Sequence, residues 1–261
     1  MKKFKFLFLV PALFSMVACG LGSEVKPEKA KEIAQNMAKV EEPKAYEAKL
    51  NMTSYDAETK STSKASYVLK YNKDGDYYGS INLEYPDSKE DGYNSNTKAE
   101  VYKVADAEYE EVLYMKSYDF DEKKDEIQVV TKKGNPLEWA QAAASAEYEI
   151  GTLDVYMIDA DDIVKMIETA DLQSEANENL EIKYYSKGAN NLTIKETMKK
   201  SDDKNAMWGD ATITFDKGYL TLMEENLQDN DGSKMNLKIE IKYSDSIKIS
   251  LPSDWKSHLN A

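Results

Sequence analysis

The sequence predicts an α+β fold in which a long antiparallel sheet is covered by one N-terminal helix and two central helices. Three observations predict it. From Tyr46 to Thr131, and again from Leu180 to Leu251, apolar and polar residues alternate with a period of two, as half-buried strands require. Helical spacing of three and four residues appears before the first strand run and twice between the two runs. Short turns rich in Asn, Asp and Gly join the strands, so neighbours run antiparallel, and such a sheet can keep one face wet.

The chain opens with Lys2, Lys3 and Lys5, then an apolar run from Phe6 to Ala18, then Cys19. A charged start, a short apolar middle and a small residue before the cut are the parts of a secretory signal. The run is too short for a permanent helical span, which needs ~20 residues. Met16-Val17-Ala18-Cys19 resembles the lipobox of bacterial lipoproteins. That resemblance implies that residues 1–18 are removed and that Cys19 carries a diacylglyceryl group. Residues 19–26 are then expected to be the lipidated cysteine and a flexible tether, and residues 27–261 a single domain. The expected location is the cell membrane, lipid-anchored on its extracytoplasmic face.

Pro27 suits the first turn of a helix. Ala30, Ile33, Ala34, Met37 and Val40 share one face, so the first helix is expected over Pro27–Lys39 and ends before Pro43. Strands follow from Tyr46, from Ala65 to Tyr71, and from Tyr77 to Tyr85, the last two joined by the turn residues Asn72 to Asp76. Three more are expected at Thr97–Val104, Glu111–Tyr118 and Asp125–Thr131. Asn135-Pro136 is a cap with a proline at the first helical position, opening an alanine-rich helix from Leu137 to Ala146. Asp159–Ala170 reads as another, with Ile163, Val164, Ile167 and Ala170 on one face, and a polar connector is expected over Leu172–Asn179. Strands resume at Leu180–Tyr185, Asn191–Thr197, Ala211–Phe215, Tyr219–Glu225 and Met235–Tyr243, and Ile247–Leu251 is expected to close the series.

This order of elements resembles the LolA/LolB and LppX/LprG-type lipoprotein carriers. The resemblance rests on the first helix, the strand Tyr46–Tyr55, the Asp74-Gly75 and Lys217-Gly218-Tyr219 hairpins, and the closing Ile247–Pro252 stretch. It implies a sheet curled into a half-barrel, central helices in its concave face and an apolar cavity between them. The function it implies is non-catalytic binding or carriage of a lipid or other amphiphile. Ile33, Met37, Met52, Ile163, Ile167, Met223 and Met235 are the candidates to line that cavity, the methionines because a flexible thioether adapts to variable chains. The competing expectation is a surface interaction or structural lipoprotein with a filled core and no small ligand.

Composition narrows the chemistry. The net charge is −14 and deepens to −17 once Lys2, Lys3 and Lys5 leave with the signal. That excess repels nucleic acid and anionic headgroups, so membrane attachment must come from acyl chains. Arginine is absent, so no guanidinium fork is present to grip phosphate or carboxylate. One cysteine forbids a disulfide within the chain. The one histidine, His258, is expected in a solvated tail. The Asn72–Gly75 and Asp229–Gly232 stretches lack the carboxylates of a calcium loop at its first and last positions and read as hairpin turns. Neither a cofactor nor a metal site is expected, nor an enzyme.

Overall fold

A computed structural model describes residues 21–37, 44–86, 96–150, 160–201 and 206–259, excluding the side chains of residues 147–150, 160–161 and 175–176. Cys19, Met157 and Asp159 therefore lie outside the described residues. Twelve strands and three α-helices are described, in the order β1 (Ser23–Val25), α1 (Pro27–Met37), β2 (Tyr46–Asp56), β3 (Ser61–Tyr71), β4 (Tyr77–Glu84), β5 (Thr97–Asp106), β6 (Glu110–Asp119), β7 (Lys124–Thr131), α2 (Pro136–Ile150), α3 (Ala160–Ala176), β8 (Leu180–Gly188), β9 (Asn191–Met198), β10 (Trp208–Asp216), β11 (Tyr219–Gln228) and β12 (Lys234–Tyr243). The strands hydrogen-bond in the order β1-β8-β9-β10-β11-β12-β2-β3-β4-β5-β6-β7, so the α+β class with a long antiparallel sheet is the one observed.

Packing divides the chain into two compact units. One holds β1, α1, the hairpin end of β2 and β3, α3, β8 to β11 and most of β12. The other holds the rest of β2 and β3, β4 to β7, α2 and the C-terminal stretch from residue 240.

In the first unit α1 and α3 lie side by side over β8, and α1 also reaches β9. The strand register explains which face they cover. Tyr184 pairs with Ile194, Ile194 with Ile213 and Ile213 with Met223, so one row of apolar side chains crosses four strands. Tyr184 reaches up from that row: its hydroxyl donates to Asp171 Oδ1 at 2.7 Å and to the Ile167 carbonyl at 3.4 Å. Ile33, Met37, Ile163 and Ile167 point into the same layer and are 0–2% exposed.

In the second unit the sheet is covered on both faces. α2 lies against β4, β6 and β7. On the other face Val112 and Tyr114 bury Trp255, with Tyr102, Val129, Leu251 and Leu259 packed around them. The tyrosines form cross-strand ladders: Tyr46, Tyr71 and Tyr77 pack as tilted pairs at 5.2 and 5.3 Å between ring centres, Tyr78 and Tyr102 as a tilted pair at 4.7 Å, and Tyr102 and Tyr114 edge-on at 5.7 Å. Aromatic pairs across strands stabilise a sheet by ~0.2–1 kcal/mol each.

Local chemistry follows the sequence at the turns. Asn72 Oδ1 accepts from the backbone N–H groups of Asp74 and Asp76, and Asp229 Oδ1 accepts from those of Asp231, Gly232 and Ser233. Both stretches are hairpin turns. Lys217 and Gly218 take φ of 53° and 87°, the left-handed pair of a type I′ hairpin. At α2 the Glu138 N–H donates to Asn135 Oδ1 while Asn135 Nδ2 donates back to Glu138 Oε2, which closes the expected cap.

Four expectations need correction. Gly20–Lys26 is not a free tether throughout, since Ser23–Val25 pairs with Ser186, Tyr185 and Tyr184 of β8. The polar connector after α3 begins later, because Leu172, Gln173, Glu175 and Ala176 are good helix formers and the helix runs on to Ala176. Ile247–Leu251 is not a strand: Ser244 and Ile247 form a turn, and the stretch leads into a 3-10 helix at Trp255–His258. Its apolar alternation serves side-chain packing, with Ile249 buried and Leu251 against the Val112 cluster. His258 is not a solvated tail residue; its ring stands edge-on to Tyr114 at 6.4 Å, with Nε2 3.5 Å from Asp254 Oδ2.

Candidate functional site

A groove opens beneath α2 in the second unit. It measures about 570 Å³, within the ~300–1,000 Å³ usual for a small-molecule site. Its position follows from the sequence of α2. The face turned to the sheet carries Trp139, Ala142, Ala143 and Ala146, so after one large residue its buried positions among the described side chains are alanine methyl groups. Trp139 fixes the start of the helix, with the Lys103 and Lys132 ammonium groups 5.8 and 5.2 Å from its ring centre. Beyond it the alanines cannot fill the space above Ala99, Val101 and Met115.

The register places those three residues together, since Val101 pairs with Met115 and Ala99 with Ser117. Around this apolar floor stand Ser117, Gln128, Gln141 and Ser145, which are neutral hydrogen-bonding groups, and the charged Glu126 and Glu138; Glu100 and Lys116 also border the groove, but their side chains alternate to the opposite face of the sheet. Lys116 is held by Asp125 at 2.8 Å, and that hydrogen bond raises its pKa. Glu138 is committed to the α2 cap. The groove thus offers a short apolar bed and a mostly neutral polar rim. Chemically that suits a ligand with a hydrocarbon part and a polar end. Among the described residues no group of three or more His, Cys, Asp or Glu is placed to hold a metal ion.

The sequence candidates lie elsewhere. Ile33, Met37, Ile163 and Ile167 come together, but in the closed helix layer of the first unit. Met223 shares that layer through its pairing with Ile213 and is half-buried, as are Met235 on β12 and Met52 on β2. None of the seven lines the groove under α2. The signal that could have found it is the Ala142–Ala146 stretch, which announces a helix with room beneath it. Ile33 does border a second recess of about 540 Å³, formed with β1, Lys29 and the Ser186–Ala189 turn.

The first unit also holds two acidic side chains on its core face. Glu196 and Glu225 are 7% and 4% exposed and both pair with Ala211 from opposite sides. Burial, and then the neighbouring Glu225 charge, pushes Glu196 up to about 7; burial raises Glu225 as well.

The fold defines the chain as an α+β protein built on a long antiparallel sheet. No family model matches it, and no curated protein sequence does. Among solved structures it is similar to a DUF1329 family protein from Desulfovibrio piger at 14% identity, over 86% of this chain and 96% of that one, with a TM-score of 0.24. It is also similar to a putative outer membrane lipoprotein-sorting protein domain from Vibrio parahaemolyticus at 11% identity, over 90% and 99% of the two chains, again with a TM-score of 0.24. Likeness at this level carries nothing about function.

Proposed function

We propose that this chain is an extracytoplasmic lipoprotein, held at the cell membrane by a lipid on Cys19, that binds one amphiphile non-catalytically in the groove beneath α2. The observation that carries the reading is the groove itself, with its alanine roof, its Ala99-Val101-Met115 floor and its largely neutral rim. The apolar part of the ligand lies on the floor and the polar end meets Gln128, Gln141 and Ser145. The layer holding Ile33, Met37, Ile163 and Ile167, with Met223 at its side, is a further place for a chain only if α1 and α3 are displaced; Met52 and Met235, half-buried on β2 and β12, are the remaining cavity candidates.

Native mass spectrometry of the full chain in mild detergent, offered palmitate and a lysophospholipid, tests the groove. One bound ligand is expected. In Ala142→Leu, where a half-exposed alanine is enlarged to fill the groove, affinity should fall at least about tenfold, or ~1.4 kcal/mol. No adduct with either ligand would leave the alternative, a surface interaction protein. That reading is favoured by the closed packing of the first unit, where Ile163, Ile167, Leu192 and Phe215 are 0% exposed.

The anchor has its own test. Cys19→Ala should abolish fatty-acid labelling and move the protein from the membrane to the soluble fraction. Among the described residues no helix is long and apolar enough to cross a membrane. Labelled, membrane-bound Cys19→Ala would defeat the anchor.

A further inference from the structure

The pair of acidic residues in the first unit is where an ordinary core would carry leucine or methionine. On β9, Leu192, Ile194, Glu196 and Met198 all turn to the helix-covered face, and three of the four are apolar. On β11, Glu225 faces the same way, one strand beyond Ala211. Ala211, the residue between them, contributes only a methyl group, and the Glu225 charge is felt at Glu196. Oε2 of Glu196 is fully buried and, among the described residues, has no hydrogen-bond partner.

The charged and titratable groups around the pair do not neutralise it. From β8 comes Tyr184, whose hydroxyl is already given to Asp171 and the Ile167 carbonyl. From α3 comes Asp171, a further acid. From α1 comes Lys31, whose ammonium lies 3.5 Å from Asp171 Oδ2 and is engaged there. Lys183 and Lys195 pair across β8 and β9 at a position that alternates to the opposite face, and Lys183 is bound to Glu181. β10 contributes only Ala211 at this level. Among the described residues neither carboxylate has a cationic partner, burial leaves an ionised one poorly hydrated, and two would repel each other.

We propose that Glu196 and Glu225 form a proton-held lock: while the pair keeps a proton, α1 and α3 stay closed on β8 and β9, and release of that proton to solvent loosens them. The direction follows from linkage. Glu196 titrates near pH 7 in the folded chain against an ordinary value of 4.5. Below pH 4.5 both folded and unfolded chains hold the proton, and the full stability is present. Between pH 4.5 and about 7 the unfolded chain has lost a proton that the folded chain retains, so stability falls with rising pH. Above about 7 both are ionised and the fall stops. A shift of this size lowers the closed-to-open equilibrium on the order of 300-fold across the window. The lock lies in the first unit and holds whether or not the groove under α2 takes a ligand.

Amide hydrogen exchange on the full chain, corrected for the intrinsic effect of pH, reads the lock locally. Protection in α1 and α3 is expected to drop by up to about 300-fold from pH 4.5 to pH 7.5, with α2 little changed. In Glu196→Gln, which cannot ionise, the drop should be reduced at least about tenfold. The same pH dependence in Glu196→Gln as in the unaltered chain would overturn the proposal. Should that variant fail to fold, the carboxyl carbon of Glu196 in the unaltered protein can be titrated by NMR. A midpoint near 7 supports the lock, and one at the ordinary value of about 4.5 overturns it.

Discussion

Ile167→Ala is expected to destabilise the protein by ~2–5 kcal/mol, and Ile163→Ala by a similar amount. Both side chains are 0% exposed, in the layer between α3 and the row Tyr184, Ile194 and Ile213. Truncation removes three carbons and leaves a cavity that a close-packed layer refills only in part. Leu172 on the same helix is 68% exposed, so Leu172→Ala is the control and should change stability by no more than ~0.5 kcal/mol. Urea unfolding with unchanged m-values reads all three. A loss below ~0.5 kcal/mol at both isoleucines would mean that α3 does not belong to the core.

A larger loss is expected at Gly209→Ala. Gly209 lies in β10 between Met198 on β9 and Leu227 on β11, with φ at +152°. A Cβ there would sit 1.8 Å from the Asn226 carbonyl oxygen and 2.6 Å from the Leu227 Cα. Both obstacles are backbone, so no rotamer change relieves them and the β10–β11 ladder itself must shift. The expected cost is at least about 3 kcal/mol, or failure to accumulate folded protein. A melting temperature within ~2 °C of the unaltered chain would show that the two strands approach less closely than this.

Much of this fold could be read from alternation because most strands bury one face and wet the other. β5, β6, β9 and β12 begin within a residue of where the period of two begins. Alternation records which side chains are buried, not which backbones pair. That is why Ile247, Ile249 and Leu251 mimic a strand while their backbone follows a turn and joins no regular element. β10 starts at Trp208, three residues before the expected Ala211, and takes in Gly209, which the β11 backbone approaches closely. The groove under α2 was hidden for a different reason. It is made by what Ala142 and Ala146 lack, and hydrophobic periodicity counts an alanine as filled core. Glu196 was legible in principle, as an acid in step with Leu192 and Ile194, but only the register shows Glu225 two strands away on the same row.

β1 also fixes how far the protein can stray from whatever holds its N-terminus. With Ser23 seated opposite Ser186, three residues, and so four steps of chain, separate that pairing from Cys19. At ~3.3–3.6 Å per residue the leash is at most about 14 Å long. Acyl chains on Cys19 would keep the β8 edge within that radius of the lipid surface, closer than the diameter of a small domain. A ligand leaving the bilayer would then meet this protein at the interface, and a partner would have to come to the membrane to find it.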